Sequence, residues 1–360
     1  MKALLAAVAI AIAGALALVA SIVAANRTTT GPGTTAAPSS MTGMTVAAGP
    51  TGKGISYAGT TVDNAAELAK AHKPYPAALP PVPAGDTAKV HMVLKDVTIQ
   101  IAPGIKYAAW GFEGGAPGPI VHVRQGQKVQ MTLTNNGAIP HSIDFHAARI
   151  APNKAFVDVD PGKSFTFTFT ANDPGVFMYH CGTKPVLAHI ANGMYGAIVV
   201  DPKTPLPPAA QSYVLVASEW YLNAPGTGKP AQLDMDKARS VMADWTTFNG
   251  YARQYVDHPL TANPGDLVRF YVVDAGPSLT TAFHIVGTLL NKVYPDGDMT
   301  PGHELTNIQT FDVPAGGGAV FEVKINQPGL YPFVSHSFAS VDMGQVGLLK
   351  VGNVAGTTSH

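Results

Sequence analysis

Residues 174–200 read PGVFMYHCGTKPVLAHIANGMYGAIVV, and residues 328–351 read PGLYPFVSHSFASVDMGQVGLLKV. Pro174-Gly-Val-Phe aligns with Pro328-Gly-Leu-Tyr, and GMYGAIVV (193–200) aligns with GQVGLLKV (344–351). Each stretch is an apolar run, a short loop and a second apolar run, as for two neighbouring strands of an all-β domain. One such unit occurring twice in a chain marks a duplicated fold.

The correspondence continues upstream. Phe112-Glu-Gly matches Phe248-Asn-Gly, and VRQGQKVQMTLTNNG (123–137) matches TANPGDLVRFYVVDAG (261–276). Phe145-His146 matches Phe283-His284, and residues 157–162 match 311–316. From Lys89 onward the chain alternates in short runs, VHMVLKDVTIQI, PIVHVRQG, KVQMTLTNN and SFTFTFTAND among them, each bounded by Gly, Pro, Asn or Asp. That is the signature of a β-sandwich. The expected organisation is one sandwich over 87–202, a stiff linker over 203–211, a second sandwich over 212–353 and a tail over 354–360. With 37 Gly and 30 Pro, turns and short strands are favoured over long helices.

Lys+Arg and Asp+Glu number 23 each, so no charge excess points to nucleic acid or another charged polymer. Lys2 precedes an apolar run from Ala3 to Ala25 that ends in small residues. Residues 1–25 therefore read as a signal peptide or a membrane anchor, and the rest of the chain as exported, periplasmic or on the extracytoplasmic face. Residues 26–86 read as a low-complexity linker and a Pro-rich lead-in, with a short helix expected within 61–72 and no role beyond tethering.

The chain holds a single cysteine, Cys181, which follows His180 and precedes His189 and Met194. A lone cysteine is ordinarily a buried free thiol. Here, however, a thiolate, an imidazole and a thioether recur as Cys-x7-His-x4-Met, a soft-metal set; an upstream histidine completes the His2Cys-plus-Met pattern of blue copper. The second copy lacks this set, with Ser337 opposite Cys181, Gln345 opposite Met194 and Leu279 opposite His141. It keeps His336 opposite His180 and His284 opposite His146, which suggests a second site made of histidines.

Alternate residues of a strand face opposite ways. In Pro140-His-Ser-Ile-Asp-Phe-His146, His141 and His146 therefore diverge, while Asp144 and His146 share a face. His180 and Cys181 diverge as neighbours. One assignment satisfies both facts: His141, Cys181, His189 and Met194 point into the sandwich. Asp144, His146 and His180 point out, to a surface where another domain can supply His284 and His336. Three imidazoles leave a position open for catalysis, and the His180–Cys181 peptide joins the two sites.

At PHSIDFH, YHC…H…GM, FHIVG and FVSHS the chain resembles the copper-containing nitrite reductases, two-domain members of the cupredoxin and multicopper oxidase superfamily, over roughly residues 88–352. The resemblance implies two tandem cupredoxin-like Greek-key β-sandwiches and two copper ions per subunit. Type 1 copper would take His141, Cys181, His189 and Met194; type 2 copper would take His146, His180 and His336, with Asp144 and His284 as the catalytic pair. It further implies a homotrimer whose type 2 site lies between subunits, nitrite as substrate in denitrification, and a small cupredoxin or cytochrome c as electron donor. This sequence departs from the best-known members in a Cys181–His189 loop one residue shorter, in Ala188 where they carry Trp, and in TLLNKVYPDGD after His284.

Two other functions fit parts of the pattern. A non-catalytic blue-copper electron carrier has no use for Asp144, His284 and His336. A two-domain laccase-like oxidase needs paired His-x-His motifs and a His-Cys-His, and this chain has no His-x-His, with Gly182 after Cys181. The remaining histidines, such as His72 and His122, read as solvated or locally hydrogen-bonded, and Trp110, Trp220 and Trp245 as core or rim aromatics.

Overall fold

The computed structural model describes residues 55–356. The apolar run over 3–25, the linker up to residue 54 and the last four residues lie outside the described residues. The first sandwich is built from β1 (Thr87–Ala102), β2 (Ile105–Phe112), β3 (Val121–Arg124), β4 (Lys128–Asn135), β5 (Asp144–Phe145), β6 (Ser164–Thr170), β7 (Gly175–His180) and β8 (Tyr195–Asp201). Its sheets run β2-β1-β4-β6 and β3-β8-β7-β5. The second sandwich comprises β9 (Gln211–Trp220), β10 (Trp245–Phe248), β11 (Leu260–Ala262), β12 (Leu267–Asp274), β13 (Thr281–Ile285), β14 (Leu290–Tyr294), β15 (Leu305–Ile308), β16 (Thr310–Val313), β17 (Gly318–Lys324), β18 (Gly329–Ser335) and β19 (Val346–Val351). Its sheets run β10-β9-β12-β17-β14-β15 and β11-β19-β18-β13-β16.

Short helices punctuate the strands: α1 (Ala65–Ala71), α2 (Pro152–Ala155), α3 (Val186–Ala191), α4 (Met235–Arg239), α5 (Gln254–Asp257) and α6 (Phe338–Asp342). α3 and α6 fall at equivalent places in the two copies, so the stretch expected as a short loop between strands contains a helical turn in each. Pro185 is the N-cap of α3, and Asn192 closes it by returning its side-chain amide to the Ala188 carbonyl at 2.9 Å. Gly193 then turns the chain at φ +103°, and a Cβ there would stand 2.7 Å from the Ala116 methyl. Only glycine fits that turn.

The strand alternation explains how the two sandwiches join. On β7 and β8, Tyr179, Ile198 and Val200 enter the core of the first sandwich. Their neighbours Val176, Met178, Tyr195, Ala197 and Val199 face the other way and pack on Val214, Val216, Trp220, Tyr271 and Val273 of the second. β7 and β8 are thus buried on both faces, which is why MYGAIVV is an unbroken apolar run rather than an alternating one. Each fully buried side chain of this kind stabilises the joint by about 1.5–3 kcal/mol. The long β1 pairs with β4 through Leu94 and with β2 from there on, and Ile101 and Tyr107 of that hairpin enter the shared core.

The lead-in does more than tether. Ala77 and Leu79 hydrogen-bond the backbone of β9, and the Tyr75 hydroxyl donates to the Gly118 carbonyl at 2.7 Å. Lys237 donates to the Ile55 carbonyl and forms a buried ion pair with Asp244 at 2.9 Å. His72, expected to be solvated or locally bonded, stacks on Tyr251 with ring centres 3.7 Å apart. Residues 55–86 therefore form a strap fastened to both sandwiches. Its prolines deny it strand periodicity, so its docking left no pattern in the sequence.

Candidate metal centres

Two clusters form at the ends of β5 and β7. β5 pairs antiparallel with β7 in the register Asp144↔His180 and Phe145↔Tyr179, so Asp144 and His180 stand side by side on the outer face. The His146 N–H donates to the Met178 carbonyl at 3.0 Å, which places His146 on that face as well. Asp144, His146 and His180 converge, their ligand atoms within 4.8 Å of one another. Phe145 and Tyr179 point inward, buried, with rings 5.2 Å apart.

The ring orientations are fixed by carbonyls. The Nδ1–H of His146 donates to the Gly316 carbonyl at 3.0 Å, and that of His180 to the Cys181 carbonyl at 2.9 Å. A carbonyl can only accept, so in the neutral rings both Nε2 atoms carry lone pairs. These two Nε2 atoms face each other at 3.1 Å. Two lone pairs at that distance repel unless a cation lies between them, and backbone carbonyls on the far nitrogens are the usual supports of metal-binding imidazoles. Burial holds the His180 imidazole below its usual range, and the nearby His146 lowers it further.

Across the sheet, within the first sandwich, His141, Cys181 and His189 converge. The two Nδ1 atoms are 3.1 Å apart, and Cys181 Sγ lies 3.2 Å from His189 Nδ1 and 3.9 Å from His141 Nδ1. The fully buried Met194 shares the core cluster with Cys181, and its carbonyl accepts the Cys181 N–H at 3.1 Å. Burial pushes His141 and His189 down to about 4, the neighbouring His189 lowering His141 further, so both rings are neutral and able to bind. Burial also pushes the Cys181 thiol up, against the thiolate. The Ser142 N–H donates to Sγ at 3.3 Å and opposes that push. A bound cation would complete the deprotonation, as thiolate ligation requires. The donor set N, N, S with a buried thioether suits copper.

His284 and His336, on and beside the strands β13 and β18, have ring centres 5.2 Å apart. Within one chain the described residues do not bring them into the Asp144–His146–His180 cluster. The second sandwich of the same chain meets that cluster through the Gly316 carbonyl instead. The His284 Nδ1–H donates to the Gln309 carbonyl at 2.5 Å, and its Nε2 has no hydrogen-bond partner among the described residues.

Three supports escaped the sequence reading. Ser142 contacts Sγ through its N–H, and its hydroxyl accepts the Gly182 N–H at 3.0 Å. Asn135, fully buried, ties the loop before His141 by donating to the Ile139 and Val159 carbonyls at 2.8 and 2.7 Å. Trp110 lays its ring against both His141 and His189. The polar residues flanking His141 gave a signal for the first two, whereas YAAWGF gave none for Trp110.

Two sandwiches in tandem, the first closing over a His–Cys–His set beside a buried methionine, define a two-domain copper protein of the cupredoxin type. Residues 94–205 match the family model described as multicopper oxidase. The copper-containing nitrite reductase of Neisseria gonorrhoeae is 38% identical over 272 residues, covering 73% of this chain and 69% of that protein. The copper nitrite reductase structure from Nitrosomonas europaea superposes with a TM-score of 0.69 at 35% identity, covering 75% of this chain and 95% of the other. The corresponding enzyme of Thermus scotoductus gives 0.67 at 29%, covering 75% and 64%. The chain belongs to the copper-containing nitrite reductases.

Proposed function

We propose that this chain reduces nitrite by one electron, with two protons consumed and nitric oxide and water formed. The observation that carries this reading is the His180–Cys181 peptide, whose neighbouring side chains enter two separate donor clusters. The His141–Cys181–His189–Met194 set would hold type 1 copper. His146 and His180, with His336 of a neighbouring subunit, would hold type 2 copper. Copper so bound supplies a one-electron relay at the first site and a Lewis acid toward a nitrite oxygen at the second.

The protein's own part is positioning and proton delivery. The Gly316 and Cys181 carbonyls aim the His146 and His180 nitrogens at a common point. Asp144, half-buried beside His180, stands where a carboxyl can pass a proton to the substrate. His284, its Nε2 unpartnered among the described residues, would serve from the neighbouring subunit. That His284 and His336 lie together yet outside the cluster of their own chain supports a site completed by a neighbouring subunit, as in the homotrimer that the resemblance implies. An exported enzyme held at or released from the membrane, fed by a small cupredoxin or cytochrome c in denitrification, agrees with the apolar run over 3–25.

The deciding experiment is copper content with the EPR spectrum before and after nitrite. Two coppers per chain, a type 1 signal and a type 2 signal that nitrite perturbs are expected. One copper with a type 1 signal indifferent to nitrite would leave an electron carrier. The missing His-x-His motif already sets the laccase-like reading aside.

A further inference from the structure

The four residues assigned above to type 1 copper are sealed from solvent: His141, Cys181 and Met194 are 0% exposed and His189 is 2% exposed. An electron arriving from outside must therefore cross a shell of protein, and coupling weakens steeply with every gap in van der Waals contact. Trp110 is the half-buried aromatic in that shell. Its ring centre lies 5.2 Å from that of His141 at 66° and 4.9 Å from that of His189 at 55°, so one indole touches both imidazoles. Such tilted and edge-on contacts are favourable aromatic geometry.

Its own position is tightly set. Trp110 sits on β2, the edge strand of its sheet, opposite Asp96 of β1. Its N–H donates to the Asn192 carbonyl at 2.9 Å, stitching β2 to the end of α3, the helix that carries His189. A Cβ at Gly193 would stand 3.3 Å from the Trp110 carbonyl, so strand and ligand loop are in close contact there. The indole N–H has no hydrogen-bond partner among the described residues and is not sealed off, unlike that of Trp245. The alternatives beside His141 are the exposed Ile139 and Pro140, saturated side chains without a π system.

We propose that Trp110 is the electron port of this chain: the indole that links solvent to both imidazoles of the first cluster. This rests on the type 1 assignment above. One electron leaves a protein donor, which is oxidised, and reduces copper(II) to copper(I), while the indole serves as the coupling path and is left unchanged. Trp110 is accordingly a positioning and coupling residue, and it has no part in the chemistry of nitrite.

The test compares the copper-loaded full chain with its Trp110→Phe, Trp110→Leu and Trp110→Met variants. Reduced cytochrome c is mixed with each, and bleaching of the blue band gives the second-order rate. Copper content, type 1 EPR and the KM for nitrite are measured on the same samples. Trp110→Leu and Trp110→Met should slow reduction by cytochrome c about tenfold. Trp110→Phe should retain most of the rate, with type 1 EPR and KM unchanged in all three. A loss under twofold in Trp110→Leu with type 1 EPR intact overturns the proposal. So does loss of type 1 copper from both aliphatic variants, since Trp110 would then be a structural cover. If the unmodified chain itself shows no type 1 signal, the copper assignment fails, and the fault lies there rather than with Trp110.

Discussion

The two sandwiches start from one plan and diverge at the loop that precedes β5 in the first and β13 in the second. In the first, Asn135 Oδ1 accepts the Gly137 N–H at 2.8 Å while its amide donates to the Ile139 and Val159 carbonyls. In the second, Asp274 Oδ1 accepts the Gly276 N–H at the same 2.8 Å, but its Oδ2 is buried with no partner. The first loop goes on to present His141 to Cys181. In the second, the Ser278 and Leu279 N–H groups turn to the buried Glu219 carboxyl, and the Gln345 side chain, opposite Met194, donates to Thr281 at 3.1 Å. One scaffold therefore tolerates either a soft-metal pocket or a closed polar network. The second copy closes its interior and keeps its two retained histidines, His284 and His336, outside it.

The sharpest way to break this contrast is to give the first copy the residue of the second. The structural counterpart of Cys181 there is the buried Ser335 rather than the exposed Ser337 that the sequence aligned: its N–H meets the Gln345 carbonyl as that of Cys181 meets the Met194 carbonyl. Cys181→Ser should therefore fold, yet lose the blue band and one copper per chain. Nitrite reduction should fall by roughly 10³-fold or more. A type 1 spectrum surviving this change would refute the assignment of Sγ. Asp144→Asn comes next. It should keep both coppers and lower kcat by about 10²-fold, the usual weight of one positioned proton donor. Unchanged kcat across the pH range would remove Asp144 from proton delivery.

Two smaller effects follow from burial. His141 and His189 are held near 4 in the fold against 6.5 for a free imidazole. Between those values the metal-free folded chain binds fewer protons than the unfolded one, so its stability is full above pH 6.5 and declines toward pH 4. Melting curves of the metal-free chain should show that decline, and copper should delay it to lower pH. Asp274 runs the opposite way, pushed up to about 7, chiefly by burial. The folded chain keeps a proton there that the unfolded chain has lost, so this contribution declines as pH rises from about 4 to 7. Asp274→Asn, which copies Asn135, should raise Tm at pH 8 by about 2–4 °C and make little difference at pH 4. An unchanged Tm at pH 8 would show that the carboxyl is relieved by some other group.

Much of the candidate site was legible because strand periodicity is local. PHSIDFH and YHC fix which side chains diverge, whatever partner strand they meet. The repeat named the sandwiches, and the loss of Cys, Met and His from the second copy located the soft-metal pocket in the first. The helical turn α3 was missed because VLAHIA is apolar but for His189, and neither strand nor helix period stands out in six residues.

What the sequence determined by itself is therefore the alternation, the duplication, the donor types and their two facing directions, all properties of residues close together in the chain. What only the tertiary structure decided depends on registry between distant segments. The pairing of Asp144 with His180, the Gly316 carbonyl that orients His146, the strap over residues 55–86 and the indole of Trp110 against both imidazoles are of this kind. Such contacts are selected by packing two sheets and two domains to a common core, and no spacing along the chain encodes them.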